Sequence, residues 1–248
     1  MICKKLIALA IAGLFSSASF AADGDWTGFY IGGNVGSASG DSESAVTLGG
    51  DWSVEAQSLR DFITNNSASD QSPSGTSYGF QLGYDYQFNN NFVLGIEADY
   101  NKLNMDEVRQ TGDIAGPFGT AYSFGNAVDA DRSYSIRPKF GHAFDNTMVY
   151  VTGGWSWTSV DFGSDLVSSG GYSKVGASSE SFSSTVWGAG VEHKFGSNWS
   201  ARLEYLRVNG DNTNYTTTFR NANFPTYSET FKQDFNYDTI RIGINYRF

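Results

Sequence analysis

Cysteine, proline and histidine are all scarce in this chain, with 1, 4 and 2 residues among 248. A single cysteine excludes a disulfide framework and a cysteine-based zinc site. Two histidines leave little material for acid–base chemistry. Basic residues are also few, 16 against 26 acidic, for a formal net charge of −10. That balance opposes nucleic acid as a partner, because phosphate binding needs clustered Lys and Arg. Beyond the first twenty-odd residues there is no run of 18 apolar residues, so no transmembrane helix is expected. What the chain does have is aromatic side chains: Phe, Tyr and Trp together number 39, too many for a disordered segment.

The start of the chain has its own pattern. Lys4 and Lys5 precede the apolar run from Leu6 to Phe15, and small residues lead to Ser19-Phe20-Ala21. Basic start, short apolar stretch and small residues at −3 and −1 predict a secretory signal peptide over 1–21, cut after Ala21. Ten apolar residues are too few to span a bilayer as helix. The mature chain, 22–248, would then hold no cysteine and carry 14 basic against 26 acidic residues, which suits a bacterial envelope.

Strict alternation follows. Phe80, Leu82, Tyr84, Tyr86 and Phe88 share one face, with Gly79, Gln81, Gly83, Asp85 and Gln87 on the other. After Asn89-Asn90-Asn91 the pattern resumes from Phe92 to Tyr100, with Val93, Gly95, Glu97 and Asp99 opposite. Period-two patterning of this kind predicts strands with one apolar face. It recurs around Tyr134–Phe144, Val149–Trp157, Trp187–Phe195, Trp199–Tyr205 and Ile240–Phe248; with Phe29, Ile31 and Val35 near the start, eight strands are expected.

The connections alternate in length. Asn89–Asn91, Asp145–Thr147 and Gly196–Asn198 are tight turns, while 39–76, 104–129, 161–180 and 209–234 are long and polar. Sorting of short and long connections to opposite ends is the signature of an outer-membrane barrel with short periplasmic turns and long extracellular loops. A weak repeat supports it: Gly83 precedes Phe88, Gly190 precedes Phe195 and Gly243 precedes Phe248 by the same interval. Phe88, Phe144, Phe195 and Trp199 are expected to form an aromatic girdle at the membrane interface.

The polar face decides which side of the barrel is lipid. It carries Asp85, Glu97, Asp99, Glu192 and Glu204 against Arg137, Lys139, Lys194, Arg202, Arg241 and Arg247. Charges so nearly balanced suit a narrow lumen in which each must find a partner, because an unpaired buried charge is strongly unfavourable. The excess of acid falls elsewhere: the four long segments hold 16 acids and 5 bases. An eight-stranded barrel is just wide enough for side chains to fill it, so a bulk water channel is not expected.

The string Asp25-Trp26-Thr27-Gly28-Phe29-Tyr30-Ile31-Gly32-Gly33-Asn34-Val35-Gly36 resembles the first strand of the small porin-family outer-membrane β-barrel proteins of alphaproteobacteria. That group includes major surface antigens and haemin-binding surface proteins. Tyr150–Trp155, Gly188–Glu192 and Arg202–Tyr205 are similar to its fifth, sixth and seventh strands. The terminus Arg241-Ile242-Gly243-Ile244-Asn245-Tyr246-Arg247-Phe248 resembles the signal read by the barrel-assembly machinery, which implies Gly243, Tyr246 and Phe248 as its bearers. The resemblance covers the strands and none of the loops. Pro138 departs from it: inside the fourth strand it lacks a ladder donor and should mark an irregularity.

The expected fold is therefore all-β: an eight-stranded antiparallel up-and-down transmembrane β-barrel over 22–248 with four long extracellular loops. No catalytic, cofactor or metal site is expected. His142 and His193 lie on the apolar face at the turn end, where amphipathic rings favour the interface, and Glu97 with Asp99 has lumen bases to pair with. Trp52, Val54, Leu59, Phe62 and Ile63 permit either a short amphipathic helix over the barrel mouth or a mobile loop. Asp41, Glu43, Asp51, Glu55, Asp61 and Asp70 could hold divalent cations shared with lipopolysaccharide. Expected partners are outer-membrane lipid and lipopolysaccharide, the barrel-assembly machinery, and a host or environmental ligand on the four loops. The expected role is structural and interactive. The alternatives are a small-ligand protein, with Tyr122 or Tyr215 as haemin ligands, and a narrow pore.

Overall fold

A computed structural model describes residues 25–210, 212–219 and 224–248. The segment assigned as signal peptide, 1–21, lies outside the described residues. Eight long strands form the wall: β1 (Gly28–Gly50), β2 (Ser74–Gln87), β3 (Phe92–Gln110), β4 (Ala121–Phe144), β5 (Thr147–Ser168), β6 (Ser173–Lys194), β7 (Trp199–Asn209) and β8 (Asn236–Arg247). Each pairs antiparallel with its sequence neighbours, and β1 pairs with both β2 and β8, so the sheet closes on itself and has no open edge in the wall. Closure lets the backbone polar groups of the wall pair within the barrel, as a hydrocarbon environment demands.

Alternation sorts the side chains as the sequence implies. Phe29, Ile31, Val35, Phe80, Leu82, Leu94, Ile96, Ile136, Phe140, Val151, Leu203, Ile242 and Ile244 all point outward and are exposed. Two rings of aromatics bound this belt. Phe88, Phe144, Phe195 and Trp199 stand at the end with the short turns. Tyr78, Tyr100, Tyr134, Trp157, Trp187 and Tyr205 stand at the other, with Tyr100 and Tyr134 centroids 5.0 Å apart. From Tyr134 to Phe144 the chain advances by ten residue steps. At ~3.3 Å per residue and a tilt of about 40° this gives roughly 25 Å, the height of a lipid-facing band. An apolar belt of that height between aromatic rings is a bilayer-spanning surface.

The strands do not stop at the upper ring. Much of the polar sequence at 104–129 and 161–180 is strand: β3 runs on to Gln110, β4 starts at Ala121, β5 runs to Ser168 and β6 starts at Ser173. Two of the four extracellular segments are thus tall hairpins with short tips. Their outward residues are mostly polar, with Val108 an exposed exception, while Leu103, Met105, Val128, Ala130, Val160, Phe162 and Phe182 pack inward as an apolar core above the membrane. On β4 a β-bulge accompanies this change, whereas β5 and β6 keep their even-numbered positions inward throughout. The pairing of β4 shifts by one residue at Asp131 against both β3 and β5, so Asp131 and Arg132 both face outward. Inward positions are odd-numbered on the membrane side of the bulge and even-numbered beyond it. A one-residue insertion exchanges the faces of a strand because its side-chain period is two.

Pro138 marks the expected irregularity. It keeps its place opposite Ile96 on β3, but pairing with β5 lapses between Ile136–Trp155 and Lys139–Thr152. The Thr152 hydroxyl donates to the Pro138 carbonyl at 2.9 Å in place of a ladder bond.

The repeated glycines have a packing cause. Gly83 is the cross-strand partner of Tyr30, and Gly190 that of Tyr150. A Cβ on either glycine would lie 2.5 Å from the Tyr Cζ. A Cβ on Gly243 would lie 3.2 Å from Nε of Arg202. Each glycine therefore makes room for a large lumen side chain on the next strand. Gly83→Val is expected to lower barrel stability by about 1–3 kcal/mol, the usual cost of overpacking. The check is the temperature at which the folded, faster-migrating band is lost on a gel run with graded heating; an unchanged temperature would refute the packing argument.

Candidate functional site: the filled lumen and its extracellular cap

The lumen is filled in layers. At the periplasmic end Trp26 is completely buried among Val93, Ala143, Met148 and Tyr150. The Arg247 guanidinium lies 5.4 Å from its ring and donates to its carbonyl at 2.5 Å. Lys194 sits 4.8 Å from the same ring and donates to the Asp25 carbonyl. Trp26 is a plug that sequence reasoning missed, since a tryptophan before the first strand gives no sign of which way it points.

Above the plug lie the eleven charged residues the sequence singles out, all buried. Asp85 takes Lys139 at 2.9 Å and Arg247 at 2.8 Å. Glu97 takes Arg137 at 2.5 Å and also Arg202. Asp99 takes Arg137 at 2.7 Å and Arg241 at 3.2 Å. Glu204 takes Arg241 at 2.6 Å and Arg137 at 3.5 Å. Glu192 accepts from Ser200 at 2.5 Å and Asn245 at 2.9 Å, with Lys139 at 4.0 Å. Ten of the eleven join in ion pairs; Lys194, the sixth base against five acids, uses the Asp25 carbonyl instead. Tyr30 and Tyr150 complete the network from above their glycines, donating at 2.8 Å to Glu97 and at 2.9 Å to Glu204. Buried charges survive in hydrocarbon surroundings only when paired and hydrogen-bonded in this way. Each carboxylate is engaged by bases, so the Glu97–Asp99 pair is not set up as an acid–base dyad.

A cavity of about 20 Å³, room for roughly one water, separates the charges from the apolar core; Ser77, Asn101, Ser133 and Tyr237 line it. Loop one then closes the top. It forms a turn at Asp51–Val54 and a helix, α1 (Gln57–Ser67), that buries Trp52, Leu59 and Ile63 against Tyr122, Phe124, Leu166 and Tyr172. The helical option for this loop is the one realised, displaced from 52–63 by several residues; Val54 points to solvent.

Glu229 is the centre of the cap and was not legible in the sequence. It is fully buried and accepts from Trp52 Nε1 at 2.7 Å and from the hydroxyls of Tyr172 and Thr217, with Lys174 Nζ at 3.8 Å. Loops one, three and four thus meet on one carboxylate. Burial, reinforced by Glu229, raises the Tyr172 hydroxyl pKa, so it stays a donor. Burial lowers the Lys174 pKa and Glu229 opposes that. At the rim Tyr227 donates to Glu55, and chiefly that bond pushes its pKa up to about 12.

The other candidates are dispersed. His142 packs between the rings of Phe92 and Phe144 on the outer face, and His193 bonds Thr147 at 2.9 Å, both at the turn end. Tyr122 and Tyr215 are buried in packed clusters, and burial raises their pKa, away from the tyrosinate a haem iron takes. Of the loop acids, Asp51 engages Thr226, Glu55 engages Tyr227, Asp61 accepts from Gln57 at 2.6 Å and Asp41 lies 3.9 Å from Arg207. Among the described residues no group of three or more His, Cys, Asp or Glu is arranged to hold a metal. Tyr246 and Phe248 meet edge to face at 5.2 Å on the outer face beside Trp199, and Gly243 faces the lumen.

The model of the outer membrane protein beta-barrel domain matches residues 7–248. The 31 kDa outer-membrane immunogenic protein of Brucella melitensis is 26% identical, over 99% of this chain and 100% of its own. Among solved structures, OprG of Pseudomonas aeruginosa superposes with a TM-score of 0.51 at 13% identity, covering 92% of this chain and 99% of its own. The protease OmpT of Escherichia coli does so with 0.51 at 12%, covering 94% and 99%. At such identities the likeness is one of fold alone. With the closed strand ring, the lipid-facing belt and the family match over nearly the whole chain, this protein belongs to the outer membrane β-barrel domain family and resides in the outer membrane of a Gram-negative cell.

Proposed function

We propose that this protein is a closed surface barrel that contributes to envelope integrity and meets the environment through its extracellular wall. One observation carries the reading: the interior is occupied from Trp26 through the ion pairs and the apolar core to the Glu229 cap, which leaves the outside as the working surface. The charge of that surface suits contact rather than transport. Asp106, Asp129 and Asp161 are direct cross-strand neighbours on the exposed wall of β3, β4 and β5. Like charges placed side by side are unfavourable for the sheet itself. A host or environmental partner for this wall would carry basic groups. The immunogenic Brucella relative supports a surface-exposed role. Lipid and lipopolysaccharide surround the belt, and Gly243, Tyr246 and Phe248 serve the barrel-assembly machinery during insertion.

In planar bilayers the purified barrel is expected to give no discrete conductance steps, because the filled lumen offers ions no continuous path. Regular, voltage-driven steps would overturn the closed-barrel reading and favour a narrow pore. Exchanging the tips at 51–73, 111–120, 169–172 and 210–235 one at a time, while measuring adhesion to host-cell surfaces, locates the contact; adhesion unaffected by every exchange would refute a surface role for them.

A further inference from the structure

The outward bases of the barrel wall are concentrated at one height. Among the described residues the eight strands present four outward-facing bases: Lys102, Arg109, Arg132 and Arg207. Three of them stand two residues beyond the outermost ring aromatic of their own strand, after Tyr100, Tyr134 and Tyr205. None stands at the periplasmic ring. This level is where a bilayer places its phosphates, next to the aromatic belt.

Arg207 is already engaged, with Asp238 at 2.6 Å and Asp41 at 3.9 Å. Lys102 and Arg132 differ from it: they are direct cross-strand partners on β3 and β4 and share one carboxylate, Asp131. The β-bulge puts Asp131 on the same face as Arg132, so it holds both bases in place yet neutralises only one charge. Its contact to Arg132 is 3.6 Å, and the Arg132 side chain is half exposed. An ammonium with three donors and a guanidinium with five retain donors directed to solvent. Beneath them Tyr100 and Tyr134 present a pair of rings to the membrane. Above them Asp106 and Asp129 form a negative step that repels an anion at any greater height.

We propose that Lys102 and Arg132 bind a phosphate of the outer leaflet's phosphorylated glycolipid, with its acyl chains on the Tyr100–Tyr134 surface and Asp131 as positioning residue. This rests on the outer-membrane placement and deepens the lipid contact named above. It is independent of lumen closure, so a conducting barrel would leave it standing.

The test uses the full mature chain folded in detergent micelles, with diphosphoryl lipid A, its dephosphorylated form and inorganic phosphate as probes and native mass spectrometry as readout. Lys102→Ser with Arg132→Ser is expected to weaken diphosphoryl lipid A binding by about tenfold while leaving the dephosphorylated form unaffected. Asp131→Asn is expected to strengthen it, because the amide oxygen still accepts from the two bases and keeps them in place while the competing charge is gone. Heat-dependent gel mobility verifies that each variant is folded. Equal binding of the two lipids to the native protein, or equal binding of diphosphoryl lipid A to native and doubly substituted protein, would overturn the proposal. So would displacement of the lipid by micromolar inorganic phosphate, which would point to a free anion.

Discussion

Arg137→Met is expected to destabilise the barrel by about 3–5 kcal/mol, the cost of removing one partner from a buried ion network. Arg137 is completely buried and reaches Glu97, Asp99 and Glu204 at once, at 2.5, 2.7 and 3.5 Å. Methionine keeps most of the volume and none of the charge. The three carboxylates would then share Arg202 and Arg241, with one negative charge newly uncompensated. The measurement is the heating midpoint for loss of the folded gel band, alongside urea unfolding in detergent. Adding Glu97→Gln to Arg137→Met should restore part of the loss, because the surplus charge goes with it. A double variant that unfolds earlier than the single one would mean that Glu97 is stabilised mainly by Arg202 and Tyr30. A single variant as stable as the native protein would refute a structural role for the network.

The second large effect belongs to the cap. Glu229→Leu removes the acceptor shared by Trp52, Tyr172 and Thr217 and takes away the carboxylate 3.8 Å from Lys174, which also donates to the Tyr227 carbonyl. The loss is again expected near 3–5 kcal/mol, because three buried donors lose their shared acceptor together and a buried carboxylate beside Lys174 is gone. Its consequence is local. The membrane belt and lumen ion pairs make no use of Glu229, so the heat-resistant band should persist while loops one, three and four separate. Limited proteolysis of the folded protein reads this directly: new cleavage within 51–73 and 210–235, with the belt intact. Glu229→Gln, which keeps an acceptor oxygen, should be milder. Protection equal to that of the native protein in the leucine variant would show that apolar packing around Trp52, Leu59 and Ile63 holds the cap by itself.

Legibility followed sequence distance. Lumen and lipid faces could be read strand by strand, because alternation is local and runs unbroken from Phe80 to Gln87 and from Phe92 to Tyr100. The partners of the lumen charges could not. Arg137 meets Glu204 across 67 positions and Arg241 meets Asp99 across 142, which only the curvature of a closed sheet brings together. Gly83, Gly190 and Gly243 were visible as a repeat, but the reason for them, a tyrosine or arginine on the adjoining strand, lies outside their own segments. The polar stretches at 104–129 and 161–180 looked like loops because above the upper ring the apolar residues move to the inward face. On β4 the bulge at Asp131 exchanges the faces, and on β5 the apolar positions pass from outward Trp155 and Trp157 to inward Val160 and Phe162 with no break in the alternation.

By itself the sequence determined that this chain spans a membrane with strands: period-two apolarity, balanced charges on the opposite face and alternating connection lengths are each local and mutually consistent. Tertiary structure alone decided what fills and covers the barrel. Trp26 enters the lumen, the core continues above the bilayer and Glu229 binds three loops. Those outcomes depend on which distant backbones the closed ring sets side by side. A buried charge or ring takes its meaning from the neighbours it is given, and no stretch of the chain carries that information within itself.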